Sequence, residues 1–187
     1  HYNYEMDRIF FDQMGIAAPD YHLGIGSGSH GFQTGEMLKK TEEVLQKEVP
    51  DAVIVFGDTN STLAGGLAAA KMHIKCAHIE AGLRSFDKRM PEEINRMVTD
   101  SITNWFFTTS AVANANLRRS GVGDERIFFV GNTMIDTLLV NLPRLQKPEF
   151  WDALQLKAGE YFVVTLHRPA NVDTGDGFAR LLAAIAE

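Results

Sequence analysis

The sequence holds a single cysteine, Cys76. One thiol among 187 residues builds no disulfide framework and fits a reducing compartment, so a cytoplasmic protein is expected. No apolar run approaches the roughly 18 residues a membrane-spanning helix needs. These residues also hold no basic-then-apolar leader. Excess positive charge is missing too. A net charge of −6 gives no electrostatic reason to bind nucleic acid or an anionic membrane. His73 and His78 lie five apart across a loop and a strand, without matching Cys or His partners. They do not read as a metal site, and no metal or cofactor is expected. There is no Gly-x-Ser-x-Gly elbow and no Cys/His pair, which removes the usual signatures of acyl transfer. No repeat of fixed period and no low-complexity segment occurs. What remains, 45% hydrophobic and 22% charged residues, is ordinary for a soluble globular protein.

The most informative stretch runs from Val53 to Arg96. Val53–Phe56 is a continuous apolar, β-branched run closed by Gly57, as a parallel strand buried on both faces reads. Asp58 follows where that strand should end. Asn60 or Ser61 can cap the next helix, 60–72, which carries Leu63, Leu67 and Ala70 at helical spacing. Lys75–Ile79 reads as the next strand, with Glu80 at its end. Two carboxylates thus stand at the carboxyl ends of successive parallel strands, the edge where open α/β sheets bind ligands.

The rest of the chain continues the alternation. A helix is expected to stop at Gly15, and 20–23 suggests a short strand. The segment G-I-G-S-G-S-H-G fits neither the dinucleotide fingerprint nor the P-loop, and is expected to be a flexible loop, at most at the mouth of a site. Further helices are expected over 34–49, from Pro91 to about 103, from Ser110 to near Gly121, and over 134–142. Strands are expected over 105–108, 127–130 and 161–166. The pattern predicts an α/β fold: a Rossmann-like parallel sheet with helices on both faces. Residues 1–142 read as a first domain, 143–160 as a linker with one short helix, and 161–187 as the start of a second domain. The chain opens without methionine and stops inside an amphipathic helix, so a piece of a longer protein is expected.

Each candidate site residue has a plainer alternative. Asp58 suits a ligand-edge carboxylate or a helix N-cap. Glu80, directly after a strand, is either a site carboxylate or the ion-pair partner of Arg84. Glu92 and Glu93 both suit the first turn of a helix, and for Glu93 that reading is preferred. His167 sits where a strand should end. Arg84, Arg89 and Arg168 are surface charge or the cations of an anion site, such as one for a diphosphate. Carboxylates with one histidine and nearby arginines suit proton abstraction from carbon and protonation of a leaving group, in an enzyme acting on an anionic small molecule.

Six segments taken together, G-S-G-S-H-G-F-Q-T-G, F-G-D-T-N-S-T-L-A-G, H-I-E-A-G-L-R-S, M-P-E-E-I-N-R, G-N-T-M-I-D-T and T-L-H-R-P-A-N-V-D, resemble the non-hydrolysing UDP-N-acetylglucosamine 2-epimerases. The resemblance implies two Rossmann-like domains in the glycosyltransferase-B arrangement, with a nucleotide sugar between them. It implies interconversion of UDP-GlcNAc and UDP-ManNAc by elimination of UDP to 2-acetamidoglucal and re-addition, in a homodimer serving polysaccharide synthesis. The family's acid/base carboxylates fall on Asp58, Glu80 and Glu92, and its substrate-binding histidine on His167. Alternatives within the resemblance are another UDP-2-acetamido sugar, a hydrolysing relative, or a binding piece without turnover. The family's first strand is absent before His1, its uridine-diphosphate loop would lie beyond Glu187, and Ala170 stands where many relatives are acidic.

Overall fold

The computed structural model describes residues 8–166 and 175–186. It divides into two compact units, His1–Val140 and Asn141–Glu187. In the first, four strands, β1 (Ala52–Phe56), β2 (Lys75–Ile79), β3 (Trp105–Thr108) and β4 (Ile127–Phe129), form a parallel sheet in the order β1-β2-β3-β4. Val55 pairs with His78 and His78 with Phe106, so these side chains share one face. Helices α1 (Arg8–Met14) and α2 (His30–Glu48) precede the sheet. The crossovers α3 (Asn60–Lys71), α4 (Pro91–Ile102) and α5 (Ala111–Arg119) join its strands. Strands added in one direction by right-handed crossovers put every crossover helix on the same face. That face is the Val55, Cys76 and Phe106 face.

The core on that face is in two parts. Leu45 of α2, Val55, Ala68, Ala69 and Cys76 form one, and Ala81, Phe106 and Leu117 of α5 the other. The buried side of α3 is Ala64, Gly65, Gly66, Ala68 and Ala69, while Leu63, Leu67 and Ala70 are only half-buried. Small residues win because α3 lies so close: a methyl on Gly65 would sit 3.2 Å from Val55 Cγ1. The opposite sheet face carries Ile54 and Phe56, each 61% exposed. The expectation of β1 buried on both faces is therefore corrected, because no described element packs over that side of it.

Several boundaries move for identifiable reasons. Helix α2 begins at His30, four residues before the expected start, because Ser29 Oγ accepts the Phe32 N–H at 3.3 Å. Thr59, not Asn60 or Ser61, is the cap residue of α3, and its N–H donates to Thr62 Oγ1 at 3.2 Å. Residues 20–23 form no strand. They run beside α2, where Lys40 Nζ donates to the Leu23 carbonyl at 2.6 Å and Lys47 Nζ to the Tyr21 hydroxyl at 2.7 Å. After β4 comes α6 (Thr133–Asn141). The second unit contains α7 (Phe150–Ala153) and α8 (Gly175–Ala186), with Trp151 and Tyr161 packed edge to face at 5.2 Å. Residues 161–166 are not a strand: no described neighbour offers ladder bonds, and Phe162 is 96% exposed. Among the described residues no helix is long and apolar enough to cross a membrane, and no group of three His, Cys, Asp or Glu could hold a metal ion.

Candidate active site

The carboxyl ends of β1 and β2 are tied together by Gly57, whose N–H donates to the Ile79 carbonyl at 3.0 Å. Gly57 turns the chain with φ 65°. Asp58 follows, and its Oδ2 accepts from Arg96 Nε at 3.0 Å and Nη2 at 2.7 Å. Its backbone carbonyl accepts from Asn95 Nδ2 at 2.9 Å. The first turns of α4 therefore clamp Asp58, and the N-cap alternative falls because Thr59 holds that place.

Glu80 ends β2 with φ 70°, in the left-handed region that non-glycine residues rarely adopt. Held strain of this kind gathers at functional sites and costs about 1–3 kcal/mol. Its carboxylate leans over Gly57, with Oε2 3.4 Å from where a Cβ on that glycine would lie. Neither Glu80 nor Glu92 has a hydrogen-bond or ion-pair partner among the described residues. Arg84 is not Glu80's partner. Its Nη1 lies 2.6 Å from Asp100 Oδ2, and its side chain is only 9% exposed. That correction leaves Glu80 uncommitted and removes Arg84 as a free cation for an anion. Arg89 is likewise engaged, forking onto Asp87 from an exposed loop at 2.8 Å through Nε and through Nη2. The Arg89 hydrogen bonds hold the Asp87 carboxyl at about 2. His167 and Arg168 lie outside the described residues.

Glu93 is not a simple first-turn acid. It is 1% exposed. Its Oε2 accepts from Ser85 N at 2.9 Å, Ser85 Oγ at 3.2 Å and Arg96 Nη1 at 2.8 Å. Its Oε1 accepts from Phe86 N at 3.2 Å. Burial pushes its carboxyl up, but the bonds from Ser85, Arg96 and Phe86 outweigh burial and hold it below its ordinary 4.5. Arg96 thus bridges Asp58 and Glu93.

The glycine-serine segment is hydrogen-bonded into the same edge. Asn60 Nδ2 donates to Gln33 Oε1 at 3.1 Å and meets His30 Nδ1 at 3.2 Å. Gln33 Nε2 donates to the Gly26 carbonyl at 3.1 Å, and Asn95 Nδ2 to Asn60 Oδ1 at 3.2 Å. The N-termini of α2 and α3 are joined by these bonds beside a cavity of about 360 Å³, lined by residues including Gly26, Gln33, Thr59 and Ser61. Two helix N-termini beside a cavity suit an anionic ligand.

Comparison with known proteins gives this edge its family. The profile of the UDP-N-acetylglucosamine 2-epimerase family matches residues 1–187. The chain belongs to that family. It is 52% identical over 189 residues to a UDP-N-acetylglucosamine 2-epimerase homolog of Methanococcus maripaludis, covering 100% of this chain and 53% of that protein. It is 45% identical over 190 residues to the UDP-2,3-diacetamido-2,3-dideoxy-D-glucuronate 2-epimerase of Pseudomonas aeruginosa, covering 100% of this chain and 52% of that one. The crystal structure of the Methanocaldococcus jannaschii UDP-GlcNAc 2-epimerase in complex with UDP-GlcNAc and UDP matches with a TM-score of 0.88 at 48% identity. That match covers 99% of this chain and 51% of the other. The chain spans about half the length of these relatives. The fold is the glycosyltransferase-B-like one of the solved UDP-GlcNAc 2-epimerases.

Sequence reasoning missed much of what holds this epimerase-family edge in place. The buried side of α4 is polar, with Glu93, Asn95, Thr99 and Asp100 inside. Ile94, Met97 and Val98 are 41%, 36% and 36% exposed. Hydrophobic periodicity reads such a helix inside out. The M-P-E-E-I-N-R motif held the signal: a buried carboxylate and Arg96 three residues apart share one helix face.

Proposed function

We propose that the intact protein interconverts UDP-GlcNAc and UDP-ManNAc. The supporting observation is Glu80, an uncommitted carboxylate held in strained backbone beside Asp58 at the sheet's ligand edge. In this reading a carboxylate takes the C2 proton. The C2–H electron pair forms a C1=C2 double bond as the C1–O bond breaks, and UDP leaves as an anion. Re-addition of UDP to C1 of 2-acetamidoglucal, with a proton delivered to the other face of C2, gives the epimer. Glu80 and Glu92, without side-chain partners among the described residues, serve proton transfer. Asp58 acts with them, oriented by Arg96. His167 and Arg168 are substrate-binding residues in this reading, with 143–160 a linker and 161–187 the start of a second domain. The protein acts as a homodimer through its first unit, supported by the exposed apolar row Ile94, Met97 and Val98.

A second reading, a 2-epimerase of a UDP-2,3-diacetamido uronate, is favoured by the 45% identity to the Pseudomonas aeruginosa enzyme. Incubating the intact protein with each nucleotide sugar and following products by NMR decides between them. UDP-ManNAc from UDP-GlcNAc supports the first. Turnover of the diacetamido uronate alone supports the second. Release of free ManNAc and UDP indicates a hydrolysing enzyme, and no UDP-ManNAc overturns the favoured reading.

A further inference from the structure

His78 is fully buried in β2, and each of its ring nitrogens faces an acceptor. Nδ1 lies 2.8 Å from Asp100 Oδ1, and Nε2 lies 2.7 Å from the Gly57 carbonyl oxygen. Turning the ring over would present carbon to both, so the orientation is fixed by its partners. The other oxygen of Asp100 lies 2.6 Å from Arg84 Nη1 as an ion pair and accepts from the Gly82 N–H at 3.1 Å. The ring therefore ties Asp100 to the Gly57 carbonyl through its two nitrogens. The charged groups around it are Asp100 from α4 and Arg84 from the β2–α4 loop. Its sheet neighbours on this face are Val55 and Phe106 across the ladder and Cys76 along β2.

The two acceptors belong to different elements, the turn after β1 and helix α4. The Gly57 carbonyl immediately precedes Asp58, and Gly82, tied through Asp100, lies two residues after Glu80. We propose that His78 is a positioning residue: held between Asp100 and the Gly57 carbonyl, it fixes the turn carrying Asp58 against the turn carrying Glu80. This deepens the epimerase reading and rests on it. Proton transfer at one carbon needs its carboxylates held to within a fraction of an ångström, and a 1 Å misplacement can cost about 10²-fold in rate.

Two substitutions split the clamp in the intact protein. His78→Asn puts an amide nitrogen where Nδ1 was, keeping Asp100 and losing Gly57. His78→Gln puts one where Nε2 was, keeping Gly57 and losing Asp100. Both should lower kcat for the UDP-sugar about 10- to 100-fold while KM changes less than about threefold. A wild-type kcat in either variant overturns the proposal. Should both variants fail to fold, Asp100→Asn decides: it gives up one of the two oxygens that tie His78 to Gly82, so the same loss of kcat is expected and a wild-type kcat overturns the proposal. Should the wild-type protein turn over no UDP-sugar, the epimerase reading falls, while lowered stability of both His78 variants in urea unfolding still upholds the clamp between the two turns.

Discussion

Replacing Glu93 by glutamine removes one charge and keeps the shape, yet it should be among the costliest isosteric changes in the chain. The carboxylate receives four donors on two oxygens: Ser85 N and Oγ and Arg96 Nη1 on Oε2, and Phe86 N on Oε1. Glutamine has one oxygen. If it faces the three donors, its amide meets the Phe86 N–H donor to donor. A buried N–H left without an acceptor costs about 1–3 kcal/mol. Arg96 loses one of its two carboxylates, and charge-assisted bonds are about twice as strong as neutral ones. Breaking a buried ion pair by removing one partner costs about 3–5 kcal/mol, which covers both effects. Urea unfolding of wild-type and Glu93→Gln intact protein at pH 7 measures it. The pH dependence supplies a second check. The Glu93 carboxyl is held below its ordinary 4.5, so its stabilisation is full above that value and is lost as pH falls through the depressed folded value. The gap between wild type and variant should therefore shrink on acidification below about pH 4.5. A loss under about 1 kcal/mol at pH 7, the value of a simple helix-dipole contact, would refute the reasoning.

Other expectations follow from the same geometry. Gly82→Ala should destabilise by at least about 2 kcal/mol in urea unfolding, since Gly82 has φ 79° and a Cβ there would lie 2.5 Å from the Ala113 carbonyl oxygen. Cys76 is fully buried, and burial pushes its thiol up against a smaller opposing effect from Thr103. A thiol reagent should label it only as fast as the protein opens; immediate labelling of the native state would contradict its burial. Arg96→Lys should lower kcat for the UDP-sugar at least tenfold, because a lysine cannot span both Asp58 and Glu93. Arg89→Lys, at a side chain 90% exposed, should change stability by less than about 0.5 kcal/mol.

The sheet was legible because β1, β2 and β3 are apolar runs closed by glycine, a carboxylate or a cap, and the helices between them carry ordinary stop and start signals. Cys76 falls inside the expected strand Lys75–Ile79, and it lies in β2. The failures share one cause: local pattern does not report partners. The run at 161–166 has strand character, but a strand exists only where a neighbour pairs with it. Leu63 and Leu67 looked like the buried side of α3, but the sheet comes too close for them, and alanine and glycine take that side. Glu93 and Glu92 are adjacent and chemically identical; only the fold shows that one receives four donors and the other none among the described residues. Arg84 sits four residues from Glu80 in sequence, yet Asp100, sixteen residues further on, claims it. The carboxylates at the strand ends were found early because topology alone puts them there.

The central claim is that the Glu80 carboxylate takes or returns a proton at C2 of a UDP-2-acetamido sugar. Incubating the intact protein with UDP-GlcNAc in D₂O, and following deuterium at C2 by NMR, tests it directly. Wild-type protein should incorporate deuterium as UDP-ManNAc forms, and Glu80→Gln, with unchanged unfolding behaviour, should slow that exchange by about 10²–10⁴-fold. Exchange in Glu80→Gln at the wild-type rate would contradict the account.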